Sequence, residues 1–403
     1  MTDMLSRVIL QKSGIFSARQ ARECKERTGL SVTFVIPSSL QLVVDDVGWF
    51  RGWDSREAGG SARTGMPRLH TAADYEAIDR LGRKIGMKIL CAFVMGDWDP
   101  DNRLRSIPYI ADPEKGWDNA ASIDRDEAER CADVIRSSSG IEIAIHGLVH
   151  NCFIPGVPYG NSDYYFRRSG ELTFIGKDDT RRKLDAFFDL LNYWDFHKPV
   201  RAFVPPNFVY RWGEIAEVLR EYGILFASTV FADDDMEVPA GPRPEEAGVD
   251  CGVIVLDRNN NPIRWKEPAA DPRGLPPFHG IFGCHWPNLL NLEPSENAAV
   301  TENWAAYFGN AKDEFDLILS RDISFAASQT LFRRFALLRE EKGGCSIDLH
   351  TVPTAPGRGK SFVLRSRKPL TRSEGCTFRL LEKSSAFRTY EVSPHKDIVS
   401  LYP

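Results

Sequence analysis

The chain has 403 residues, 42% hydrophobic and 27% charged, with a formal net charge of −5. This describes a globular protein of one large domain plus a smaller one, and the mild acidity gives no electrostatic case for nucleic acid or an anionic membrane. Its 8 cysteines are scattered without a Cys-x-x-Cys and suggest packing residues, not a disulfide framework. No run approaches ~18 consecutive apolar residues. Residues 1–17 carry Asp3, Arg7 and Lys12 and have no apolar core of signal-peptide length, so a cytoplasmic location is expected.

In chain order, a helix is expected over about 17–28, followed by the apolar strand Leu42-Val-Val, which ends in Asp45-Asp46 and leads to Gly48-Trp49. Residues 59–67 form a Gly/Ser/Arg loop. Thr71 caps a helix reaching about Gly86, with Tyr75, Ile78, Leu81 and Ile85 on its apolar stripe. A strand over 88–95 and a helix over about 124–137 lead to Ile141-Glu-Ile-Ala-Ile-His146, whose period-two pattern marks a buried strand. The stretch 151–176, with Tyr159 to Tyr165 at its centre, is rich in Tyr, Gly and Pro and suggests a substrate-facing loop. There follow a helix over about 178–194, the segment Arg201-Ala-Phe-Val-Pro205-Pro206, a helix near 212–222 and a strand over 224–229. A short strand is expected over 252–257, and Ile281-Phe-Gly-Cys-His285-Trp286 is a strand end. Two helices, near 303–319 and 328–341, precede Gly343-Gly344. Strand–helix alternation of this kind predicts a barrel or open sheet with parallel strands and its chemistry at their carboxyl ends. Beyond Gly344 short strands joined by Pro, Gly and Ser turns predict a small β-rich appendage over 344–403, set against a domain spanning 1–343.

His146 and His150 stand one helical turn apart, where two imidazoles can share a metal ion; zinc needs a third ligand, commonly a carboxylate, and an open position. Two unrelated histidines in a polar loop are the bland alternative. Paired acids after a strand can equally be a solvated turn, and Arg201 can be a structural arginine under a loop. Trp49 and Trp286 can line a sugar site by stacking or belong to the core.

The ordered set Asp45-Asp46, His146-x-x-x-His150, Arg201-x-x-x-Pro205 and His285, each at a strand end, resembles the polysaccharide deacetylase superfamily, carbohydrate esterase family four, over about residues 40–290. That resemblance implies a distorted (β/α) barrel and a divalent metal, with zinc favoured over cobalt, manganese, nickel or iron. Asp46, His146 and His150 would hold the metal. Asp45 would be the general base, kept in place by Arg201, and His285 the general acid. Trp49, Trp286, Pro205 and Tyr165 would face the substrate. Four departures stand out. An extra residue precedes Gly48, and Gly147 replaces the family's Ser or Thr. The third motif reads Arg-Ala-Phe-Val-Pro-Pro, and the Asp-Trp motif that supports the family's histidine is missing. The expected activity is metal-dependent removal of an N-acyl group, acetyl first, from an amino sugar of a saccharide, in surface-polysaccharide biosynthesis. An amidase acting on a non-sugar amide and a catalytically silent saccharide binder are the rivals. The sequence leaves the oligomeric state open.

Overall fold

The computed structural model describes residues 32–48, 66–121, 123–157, 162–231, 245–259 and 262–403. The expected helix at 17–28, Tyr159 and Trp49 lie outside these residues. Seven parallel strands close a barrel: β1 (Ser38–Val47), β2 (Ile89–Val94), β3 (Ile141–Gly147), β4 (Ala202–Phe203), β5 (Phe226–Thr229), β6 (Val253–Asn259) and β7 (Gly280–His285). Closure comes from β7 pairing with β1 in the register Gly280↔Leu40 through His285↔Asp45. An eighth short parallel strand, Leu317–Leu319, adds to the other edge of β1, and Ala247–Asp250 runs antiparallel to β6.

Period two explains the packing. On β3 the side chains of Ile141, Ile143 and Ile145 belong to the core shared with the surrounding helices, as do Leu42 and Val44 of β1 and Phe282 and Cys284 of β7. The alternate residues, Val43, Leu90, Ala92, Ala144, Ala202, Ile254, Leu256 and Ile281, form a second cluster on the opposite face of the sheet, the barrel interior. Both faces are buried, as a parallel sheet requires. Helix α1 (Ala72–Ile85) buries Tyr75, Ile78, Leu81 and Ile85. Each such side chain contributes about 1.5–3 kcal/mol, so the apolar face does more than intrinsic propensity to hold the helix. Its first turn is tied by the Thr71 amide donating to Asp74, and Gly86 ends it in the left-handed conformation at φ 72°. Around the barrel follow α2 (Arg125–Ser137), α3 (Lys177–Tyr193), α4 (Ala216–Glu221) and α5 (Asn297–Ala311), whereas α6 (Ile323–Phe335) buries Ile323, Ala326, Ala327, Leu331 and Phe332 in the second cluster.

Three expectations need correction. The last two helices start and end earlier than the residue pattern implied. The side chain of Asp322 accepts the Phe325 amide and so caps α6 at 323. Residues 337–341 are a strand, turned back at Gly343 (φ 95°) onto Gly344–Asp348. The aromatic stretch contains a hairpin, Tyr165–Arg168 with Glu171–Phe174, whose turn at Ser169 and Gly170 has positive φ at both residues. The β-rich part is larger than 344–403. It comprises two four-stranded sheets, one beginning with Leu337–Glu341 and the other completed by Phe34–Val35, which pairs antiparallel with Phe362–Ser366.

At the amino end of the barrel Glu142 accepts the Ile323 amide at the start of α6. Burial lifts its carboxyl to about 7, with Asp322 adding to the rise and the Ile323 hydrogen bond, Lys88 and Arg201 opposing it. A carboxyl with a raised folded value binds more protons folded than unfolded, so stability should fall as pH rises from about 4.5 to 7. A shift of this size corresponds to at most roughly 3 kcal/mol. Thermal melts across that range should therefore flatten in Glu142→Gln. An unchanged slope would remove Glu142 as its source.

Candidate active site

The interior-facing positions turn polar at the carboxyl ends of the strands. Asp45 continues Val43, His146 continues Ala144, Arg258 continues Leu256, and His285 continues Ile281 and Gly283. Adjacent residues on a strand normally face opposite ways. Asp45 and Asp46 nonetheless both reach the site, because the β1–β2 register shifts between Val44 and Val47 and Asp46 takes φ 64°. A second irregularity between Phe93 and Val94 faces His146, and His150 has φ 54°. Left-handed backbone at two bulky polar residues is strain of the kind that gathers at functional sites.

Asp46 Oδ1 is buried without a hydrogen bond, and His146 Nε2 lies 3.2 Å and His150 Nε2 3.8 Å from it. Together these residues place one ligand atom each within 4.8 Å of one another. The Nδ1 of His146 lies 2.7 Å from the Val204 carbonyl. A carbonyl only accepts, so Nδ1 carries the proton and neutral His146 turns a lone pair toward the carboxylate. Such a convergence of lone pairs requires a proton or a cation between them, and two imidazoles with one carboxylate are a donor set for a divalent transition metal. Burial would raise the Asp46 carboxyl. The close approach of His146 and the fields of His285 and His150 outweigh it and hold the group below the ordinary carboxylate range. His146 moves up: burial acts against its charge, and Asp46 and Asp45 overcome that. An Asp/His/His set of this kind fits the metal that the resemblance implies.

Asp45 is paired differently from expectation. Its Oδ1 accepts from Arg258 Nη1 at 2.8 Å, with both side chains buried. The guanidinium lies 5.0 Å from the centre of the Phe208 ring and fills the space beside Gly283, where a Cβ would fall 1.8 Å from Arg258 Nη2. Arg201 is not the partner. It is exposed and precedes β4, so it stands at the barrel's amino end near Glu142, while Asp45 is at the carboxyl end. The Arg201–Phe208 segment serves the site through the Val204 carbonyl and the Phe208 ring instead. Pro205 is buried and opens the short helical turn between these two.

His285 stands alongside Asp45 in the sheet, and its Nε2 lies 3.8 Å from Asp46 Oδ2. Burial draws its ring below the usual histidine range, and Asp46 and Asp45 counter this only in part. A lowered value makes the protonated ring a stronger donor at the expense of its population. Asn288 fixes the neighbourhood. Its Oδ1 accepts the His285 amide, and its Nδ2 donates to the carbonyls of Arg264 and Glu267. That clamp holds half-buried Trp265 with its ring centre 6.3 Å from that of His285. Two further histidines lie away from the site: His279 precedes β7 at its amino end, and exposed His350 is bonded to Asp348 in the β-rich part.

Two expected substrate contacts are core residues. Trp286 is 1% exposed and packs on Tyr75 and His70, because the helical turn after His285 sends it outward. Tyr165 is equally buried, with its ring against Phe174 and its hydroxyl accepting the Arg211 amide. The residues missed by the sequence reading are Arg258, Phe208, Trp265 and Asn288. The one signal for Arg258 was the alternation Ile254, Leu256, Arg258 opposite a glycine inside a strand.

The fold is thus a closed α/β barrel with its convergent polar residues at the strand carboxyl ends. No family model matches the chain, and no curated protein matches it. A solved structure of a 4-alpha-glucanotransferase from Thermococcus litoralis is similar at 12% identity and a TM-score of 0.38, over 70% of this chain and 39% of that one. Among the described residues no helix is long and apolar enough to cross a membrane.

Proposed function

We propose that the protein is a metal-dependent hydrolase that removes an N-acyl group, acetyl first, from an amino sugar of a saccharide. The observation that supports this reading is the placement of Asp45 with Arg258, Asp46 with His146 and His150, and His285 around one barrel mouth. Asp46, His146 and His150 would hold a divalent ion, zinc first. A bound zinc in such a site polarises an acyl oxygen and acidifies water. Asp45, held in place by Arg258, accepts the proton of the attacking water. His285, across Asp46 from the two metal-binding histidines, gives a proton to the departing amine, which is a poor leaving group without one. Trp265, its ring centre 6.3 Å from that of His285, would contact the sugar beside the departing amine. Surface-polysaccharide biosynthesis remains the setting that the resemblance implies.

Zinc-loaded protein incubated with N-acetylated amino sugars and their oligomers should release acetate, and Asp46→Ala should lose both zinc and activity. Zinc binding without hydrolysis of any N-acyl sugar, or hydrolysis confined to non-sugar amides, would overturn the reading. Trp265→Ala should raise KM for a saccharide about tenfold, the value of one aromatic contact, with kcat little changed. Equal KM values would remove Trp265 from the sugar site.

A further inference from the structure

The segment joining His146 to His150 is held from beneath by a buried ion pair. Asp163 and Lys183, from α3, are both 0% exposed, with Nζ 3.6 Å from Asp163 Oδ1. That oxygen accepts the amides of Leu148 at 3.0 Å and Val149 at 3.1 Å, and Lys183 donates to the Asn151 carbonyl at 3.5 Å. Three backbone groups between and just past the two histidines are thus fixed by one carboxylate and its counterion. Gly147 makes room for this. It has φ 110°, and a Cβ there would lie 2.3 Å from Asp163 Oδ2, so the carboxylate occupies the volume that a side chain at 147 would take. Where the resembled family has Ser or Thr beside its first histidine, this chain supplies the polar group from further along.

An ion pair this deep is a costly way to fasten a loop, since apolar packing often does as well or better. Apolar packing cannot, however, accept two consecutive inward-pointing amides. Those amides set the path that carries His150 into left-handed backbone and onto Asp46. We propose that Asp163, itself held by Lys183, is a positioning residue that keeps His146 and His150 in metal-binding register, so that metal affinity as well as stability depends on its oxygen. The inference rests on the reading of Asp46, His146 and His150 as the metal ligands.

Zinc affinity can be measured by chelator competition on folded protein well below its melting temperature. The comparison is wild type, Asp46→Ala, and two double variants, Asp163→Asn/Lys183→Met and Asp163→Ala/Lys183→Met. Both doubles remove the same two charges, and only the asparagine keeps an acceptor for Leu148 and Val149. The alanine double should bind zinc about 10–100-fold more weakly, the usual effect of losing a group that orients metal ligands, and the asparagine double should recover most of that loss. In the wild type, zinc should slow hydrogen exchange at the Leu148 and Val149 amides. This measurement serves even where a variant does not fold. Equal affinities in both doubles and wild type, or zinc binding with exchange unchanged at those amides, would overturn the positioning role while leaving the metal site intact. Zinc binding that Asp46→Ala does not weaken would overturn the metal-site reading, and this inference with it.

Discussion

Asp45→Asn should keep the full complement of zinc and lose about 10²–10⁴ in kcat, the usual cost of removing a general base. The two adjacent aspartates do different things. Asp46 Oδ1 faces His146 and His150, whereas Asp45 Oδ1 is bonded to Arg258. Asparagine preserves the shape and an oxygen for Arg258 but takes no proton at neutral pH. Elemental analysis of the purified variant, beside its rate of acetate release, separates the roles. If zinc is lost while activity survives, the assignments of Asp45 and Asp46 must be exchanged.

Arg258→Met should be comparably damaging for another reason. It leaves the Asp45 carboxylate, 1% exposed, without the donor that holds it toward the site. Breaking one side of a buried pair also destabilises a protein by about 3–5 kcal/mol, so the melting temperature should fall as well. Gly283→Ala should reproduce the catalytic loss, since its Cβ would fall 1.8 Å from Arg258 Nη2 and force the guanidinium away from Asp45. Arg201→Met should leave activity near wild type. Activity lost in Arg201→Met but kept in Arg258→Met would restore the arginine that the sequence resemblance selected.

The arginine shows where sequence reasoning succeeds and where it stops. Ile141-Glu-Ile-Ala-Ile-His announces a strand with a polar tip, and His146 and Asp46 do converge. Alternation alone could not tell which face was the barrel interior. The isoleucines face the helices, and the inward positions are Glu142, Ala144 and His146, small enough in the middle to let seven strands close. Arg258 lies in Leu-Asp-Arg-Asn-Asn, which has the composition of a solvated turn. Its role becomes visible only when β6 and β7 are side by side and Gly283 is seen to leave space. For Trp286 the sequence left both sugar lining and core open, and the helical turn beginning at Trp286 decides for the core. Asp46 belongs to a third kind: its identity is plain, but nothing local shows that it adopts left-handed backbone.

The pairing of Phe34–Val35 with Arg365 and Ser366, and of the Thr33 and Phe34 amides with Glu340, bears on how the molecule is born. The short strand just ahead of β1 finds its neighbour only once most of the chain has been made. At roughly 5–20 residues per second, residue 366 leaves the peptidyl centre about 15–65 s after residue 34. Closure of β1 onto β7 likewise joins early and late segments. Contacts this far apart along the chain slow folding, because loop-closure entropy must be overcome before they form. Until then the apolar strand that carries both aspartates has an open edge, so nascent chains should depend on holding chaperones, and active protein should appear only after the segment around residue 366 has emerged from the ribosome.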